Sequence, residues 1–122
     1  MTVICVDDHP IMLKGLAESV RQLLPDSSVR AFESADVALD FAIGNGCDVL
    51  ICEIELCGTD CLTLSKKVKK LNPKVNIVFL TVCDEREHAK EAFEIRPSGY
   101  LLKPAKKEQL EAELKSLRYY AS

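Results

Sequence analysis

The sequence predicts an α/β domain, a doubly wound parallel sheet with helices on both faces, and three observations lead there. Short apolar runs alternate with helical patterns five times along the chain, the (βα)5 arrangement that buries a parallel sheet between helices. The runs are near-continuously apolar, as strands covered on both faces are. Four of them end in a chemically useful group. Val3-Ile-Cys-Val6 ends in Asp7-Asp8, Val49-Leu-Ile-Cys52 in Glu53, Ile77-Val-Phe-Leu80 in Thr81, and Tyr100-Leu-Leu102 in Lys103.

The elements follow in order. After the first strand, Pro10 suits the first turn of a helix. Leu13, Leu16, Ala17, Val20, Leu23 and Leu24 recur at helical spacing, and Pro25-Asp26 ends that element. Val29-Arg-Ala-Phe32 is a short strand. Ser34 is placed to cap a helix carrying Val37, Ala38, Phe41 and Ala42 on one face, closed by Gly44 and Gly46. The strand ending in Glu53 comes next. Leu62, Leu64, Val68 and Leu71 mark a helix that stops at Asn72-Pro73. Val75 to Leu80 is the fourth strand. A charged helix is expected from Asp84 to Ile95, with Ala89, Ala92 and Phe93 among its few apolar groups. Pro97-Ser-Gly99 turns the chain into the fifth strand. The last helix is expected from Lys106 to Tyr119, with Leu110, Leu114 and Leu117 inward.

At 122 residues the chain is expected to form one domain, residues 1–122, large enough for a real core. Its formal net charge of −3 gives the domain as a whole no strong pull toward nucleic acid or a membrane. No run approaches the ~18 apolar residues of a membrane span, and the N-terminus lacks the charged-then-apolar pattern of a signal peptide. Six cysteines raise the question of disulfides or metal. Cys5 and Cys52 fall inside apolar strands, where cysteine acts as a small hydrophobe. Cys47, Cys57, Cys61 and Cys83 fall near expected loops. There is no Cys-x-x-Cys pair and no His at ligand spacing, so reduced thiols in a cytoplasmic protein are the expectation.

The strand-end groups are the candidate site, because open α/β sheets keep their ligand crevices at the carboxyl ends of the strands. Each has a plain structural alternative. Asp7 could cap the first helix with Asp8 solvated beside it, Thr81 could be a strand-end β-former, and Lys103 a solvated lysine. Together, at successive strand ends, they form a pattern that resembles the receiver domain of two-component response regulators. In that family an acidic pair follows the first strand, a phospho-accepting Asp ends the third, Ser or Thr ends the fourth, and Lys-Pro follows the fifth. The positions here are Asp7-Asp8, Glu53, Thr81 and Lys103-Pro104, and the likeness covers nearly the whole chain. The departure is central: Glu53 stands where the family has its phospho-acceptor. Cys57 and Cys61 stand where Pro and Gly are common.

The resemblance implies a flavodoxin-like receiver fold with strand order 2-1-3-4-5. It implies an acidic pocket of Asp7 and Asp8, and a switch of Thr81, Tyr100 and Lys103. It implies Mg²⁺ held by Asp8, Glu53 and the backbone of Glu55. It implies a sensor histidine kinase or another signalling protein as partner, a C-terminal output domain, DNA-binding in some receivers, and no membrane partner. The segment from Asp84 to Ile95, Tyr100 and the helix from Lys106 to Tyr119 are the implied homodimer and output face. Glu53 adds one methylene, about 1.5 Å, to the acceptor side chain. Mg²⁺ demands near-ideal octahedral geometry, and misplacing a reacting group by ~1 Å can cost on the order of 10²-fold in rate. The expectation is a pseudo-receiver with weak or no Mg²⁺ binding. Glu53 then either mimics the active state in part or marks lost phosphate control. His9 and His88 show no partner in the sequence, and Asp48 and Asp60 read as strand-entry and loop carboxylates respectively.

Two other classes were weighed against this non-enzymatic signalling module. A small metal-dependent phosphatase or hydrolase would use Asp7 and Asp8, but the chain lacks a second acid–base group, a nucleophile elbow and a Gly-rich phosphate loop. A flavodoxin-like nucleotide binder would need its phosphate loop after the first strand, where Asp7-Asp8-His9-Pro10 offers acids instead.

Overall fold

The computed structural model describes residues 1–53, 59–81, 94–102, 107–115 and 117, with the backbone alone at 59, 60, 81 and 102. The strands are β1 (Thr2–Val6), β2 (Ser28–Phe32), β3 (Val49–Glu53), β4 (Asn76–Thr81) and β5 (Gly99–Leu102). All pair in parallel, in the order β2-β1-β3-β4-β5. The described helices are α1 (Pro10–Leu23), α2 (Ala35–Asn45), α3 (Thr59–Leu71) and α4 (Lys107–Lys115). The helix expected from Asp84 lies outside the described residues up to position 93, as do the ends of the one expected from Lys106.

Side-chain alternation along the strands builds two cores. Ile4, Val6, Leu50, Cys52, Ile77 and Phe79 face α2 and α3, where Ala38, Ala42, Leu64 and Val68 cover them. Val3, Cys5, Val49, Ile51, Val78 and Leu80 face α1 and α4, where Leu13, Ala17, Val20, Leu110 and Leu114 cover them. Each central strand thus gives alternate side chains to opposite layers, the reason its run is apolar throughout.

Local details depart from the sequence reading in instructive ways. Val37 is 53% exposed although Ala38 and Ala42, beside it on the helix, are buried. At about 100° per residue the inward stripe of so short a helix holds the two alanines and leaves Val37 off its edge. Leu71, in the last turn of α3, is likewise exposed. Gly44 lies inside α2; the helix is closed by Gly46 alone, whose φ of 81° and ψ of 174° suit only glycine. Ser34 occupies the N-cap position, but its backbone carbonyl, not its hydroxyl, accepts the bond from the Ala38 N–H at 3.1 Å.

The amino edge of the sheet is tied by polar side chains. Asp48 Oδ2 accepts the Thr2 N–H at 2.7 Å, and the Asp48 carbonyl accepts the Asn76 N–H at 2.9 Å. Asn76 Oδ1 accepts the Ser98 hydroxyl at 3.1 Å, and Asn72 Nδ2 donates to the Cys47 carbonyl at 3.1 Å. These bonds fix where β3, β4 and β5 begin, and so where their opposite ends deliver the site.

Candidate functional site

Strand register brings the two acidic strand ends together. Val6 pairs with Cys52, so Asp7 and Glu53 are the next residues on neighbouring strands. The ladder continues through Asp7, whose N–H donates to the Phe32 carbonyl at 3.2 Å. Adjacent strands lie ~4.8 Å apart, so two carboxyl-bearing residues sit side by side. Both are buried, Asp7 at 1% exposure and Glu53 at 2%. Like charges in that position disfavour joint ionisation unless cationic or hydrogen-bonding groups face them.

One such group is His9. Its backbone N–H donates to Asp7 Oδ1 at 2.9 Å, and its Nδ1 lies 2.9 Å from Asp7 Oδ1 and 3.0 Å from Asp8 Oδ1. The sequence reading gave His9 no partner, and the structure corrects it. The turn after β1 folds the imidazole back over both carboxylates. The available signal was the spacing, since an Asp two residues before another residue readily accepts that residue's N–H in an Asx turn. That same bond uses the Asp7 carboxylate locally; His9, with no side-chain cap, is the N-cap of α1.

Of the cysteines expected near loops, Cys47 does lie in the connection before β3, whereas Cys61 lies inside a helix. Cys61 lies in α3, fully buried, and its thiol donates to the Glu53 carbonyl at 2.8 Å. It therefore packs directly behind the acceptor position, holding the end of β3 against α3. Cys47 is buried too, and its thiol donates to the Val49 carbonyl at 3.3 Å. Burial pushes the Cys47 thiol up to about 12, with the Asp48 charge adding to the shift. Burial does the same to Cys5, against a smaller downward pull from Arg21. Thiols so far from ionisation are poor nucleophiles and poor metal ligands.

The remaining expected site residues stand as follows. Thr81 ends β4, paired with Leu102, and its backbone is described. Tyr100 lies in β5 opposite Phe79 and packs, partly buried, against the α2–α3 core. Lys103 and Glu55 lie outside the described residues. The carboxylate oxygens are chemically suited to a hard divalent cation. Among the described residues, however, the group whose ligand atoms all lie within 4.8 Å of one another is Asp7, Asp8 and His9, without Glu53. As arranged, the His9 imidazole contacts Oδ1 of both Asp7 and Asp8, so an ion held there would have to share or displace those contacts.

A parallel sheet of this order, with an acidic pair after β1 and a carboxylate ending β3, defines a receiver-type signalling domain. The chain belongs to the response regulator receiver domain family, whose model matches residues 3–115. It is 28% identical over 116 residues to the transcriptional regulatory protein YesN of Bacillus subtilis (strain 168), covering 94% of this chain and 32% of that protein. It is 27% identical to the sensory transduction protein LytT of the same organism, covering 97% of this chain and 48% of that protein. The chain thus spans at most about half the length of these relatives. Among solved structures, RcsB from Salmonella enterica serovar Typhimurium, bound to promoter rprA in the presence of phosphomimetic BeF3⁻, superposes with a TM-score of 0.79. The identity is 28%, over 97% of this chain and 68% of that one. The protein is therefore a receiver domain of two-component signalling. Among the described residues no helix is long and apolar enough to cross a membrane.

Proposed function

We propose that this chain is a pseudo-receiver, a module that works through protein contacts or control of an output domain without forming a stable acyl phosphate. The observation that carries the reading is Glu53, buried at the carboxyl end of β3 beside Asp7, in the position of the family's phospho-acceptor. A receiver nucleophile works when a metal and a lysine neutralise the charge that develops on phosphoryl transfer. Here the carboxylate is one methylene too long, and His9 already engages Asp7 and Asp8. The Glu53 carboxylate is a standing partial substitute for a phosphoryl group: it carries one charge where a phosphoryl carries about −1.5 to −2. Thr81, Tyr100 and Lys103 form the switch that would read it.

The domain is non-enzymatic in this reading, comprises residues 1–122, and acts in the cytoplasm. Its partners are a sensor histidine kinase or another signalling protein, and an output domain beyond the receiver. A DNA-binding output is favoured by the similarity to a transcriptional regulatory protein and to a promoter-bound one. Self-association would use the 84–95 segment, Tyr100 and the α4 face. Incubation with acetyl phosphate and Mg²⁺, followed by intact mass, tests the central claim. The wild-type chain should gain no mass, whereas Glu53→Asp should gain about 80 Da, the mass of one phosphoryl group. A hydroxylamine-labile adduct mapped to Glu53 in the wild type would overturn the reading.

A further inference from the structure

We propose that the groove between α3 and the turn leading into β5 is a docking site for an acidic protein segment carrying an apolar anchor. The groove is shallow and open to solvent, spans about 550 Å³ and is lined by Lys66, Lys69 and Lys70 of α3 and by Glu94, Ile95 and Arg96 of the turn. Four cationic side chains thus face one carboxylate, in a chain whose net charge is −3. The groove lies toward the amino edge of the sheet, away from Asp7 and Glu53, because α3 runs back antiparallel to the strands. Its role is independent of what Glu53 does.

The walls are held in place. Lys69 Nζ donates to the carbonyl of Ile95 and, at 3.3 Å, to that of Arg96. This pins the turn to α3 at a residue whose φ of 60° puts its backbone in the left-handed region. Lys66 and Lys70 are exposed on the same stretch of helix. The surface inside the groove is mostly apolar; Ile95 is itself buried, at 6% exposure, so the methylene stems of the long side chains around it supply most of that surface, their charged heads in water.

That combination selects the occupant. A phosphodiester backbone would meet the charges but leave the apolar floor uncovered, and the chain's overall negative charge opposes long-range attraction of a polyanion. A protein segment with a Leu-type or aromatic side chain between Asp and Glu residues satisfies both floor and rim. The groove's open shape suits a segment laid across the surface and not an enclosed small ligand. Rim charges of this kind set specificity and association rate, and are screened by salt.

The test uses the whole chain and a fluorescein-labelled synthetic peptide in which leucines are spaced among Asp and Glu. Binding should be saturable, weaken as salt rises from about 0.05 to about 0.3 M, and shift amide resonances of residues 66–70 and 94–98. Lys66→Glu with Lys70→Glu should weaken it by roughly tenfold without moving the thermal midpoint, since both side chains are exposed; Lys66→Gln with Lys70→Gln should act in the same direction by less. Replacing the peptide's leucines with glutamine should also weaken it, while Asp8→Asn should not. The proposal is overturned by absent binding, by shifts confined elsewhere, or by an affinity that ignores the lysine changes. It is overturned equally if duplex DNA competes more strongly than the peptide, or if sedimentation shows self-association that the lysine reversals abolish, which would make a second copy the occupant.

Discussion

At the amino edge of the sheet, Asp48, Asn76 and Ser98 form a closed set of hydrogen bonds joining β1, β3, β4 and β5. At the carboxyl edge, Asp7 and Glu53 bring two buried carboxylates to adjacent strand ends. Both edges bury polar side chains, but they spend them differently. The amino edge matches neutral donors to acceptors, the Asp48 carbonyl taking both the backbone and the side-chain N–H of Asn76, and the Asp48 carboxylate accepts a backbone N–H. The carboxyl edge concentrates like charge, which a fold tolerates where it serves a ligand or a partner.

The largest effect should come from base. The unfolded Cys5 and Cys47 thiols lose protons above about their ordinary value of 9.0, whereas in the fold both hold them to about 12. Between those values the unfolded chain binds fewer protons than the native one, so stability falls as pH rises. It is fully present below pH 9 and declines by roughly 2 kcal/mol per thiol at about pH 10.5. Urea midpoints should drop steeply over that window, and the drop should be shallower in a Cys5→Ala, Cys47→Ala chain. Equal alkaline slopes in the two proteins would show that these thiols do not govern the transition.

A pair of substitutions sharpens the contrast between the edges. Asn76→Ala removes the buried side-chain amide that accepts from the Ser98 hydroxyl and donates at 3.4 Å to the Asp48 carbonyl; the carbonyl keeps the backbone N–H of residue 76, and the Ser98 hydroxyl loses its partner. It should cost about 1–3 kcal/mol. Asp8→Ala at the other edge removes an exposed carboxylate and should stay within about 0.5 kcal/mol. Chemical denaturation of both variants measures the difference; a larger loss from Asp8 would mean that the carboxyl edge is also a structural clamp.

Most of the fold was legible because four of the five strands carry apolar runs, and Asp7 and Glu53 at the ends of two of them fall side by side at the carboxyl edge. The strand order came from the family resemblance, since the pattern alone does not fix it. Pairwise detail was not legible. The Asp7 to His9 spacing allows the Asx turn, but whether the imidazole then folds back over both carboxylates depends on a side-chain rotamer that the spacing does not specify. Cys61 was assigned to a loop because α3 begins before its first large apolar residue, with Thr59-Asp60-Cys61 carrying no helical periodicity. Val37 was misplaced because a short helix with apolar residues on more than one side has no sharp stripe to read. The basic groove was invisible for a different reason. Lys66, Lys69 and Lys70 read as a solvated helix face until the turn at Arg96 is placed against them.

The smallest expected effect is that of Mg²⁺ at the carboxyl edge. The acids are present, and their oxygens are hard donors of the kind Mg²⁺ takes. Against binding stand the extra methylene of Glu53 and the two contacts by which His9 engages Asp7 and Asp8. An ion would have to displace the imidazole and then accept an imperfect octahedron. The dissociation constant should lie in the millimolar range or looser. At about 10 mM Mg²⁺, mass action then adds no more than about 1.4 kcal/mol to stability, and a domain of this size gains at most several degrees in thermal midpoint. The shift should be absent in Asp8→Asn and should not appear with K⁺ at matched ionic strength. A midpoint that saturates at micromolar Mg²⁺ would mean that His9 yields readily and that this edge retains a working metal site, erasing its contrast with the settled hydrogen bonds of the amino edge.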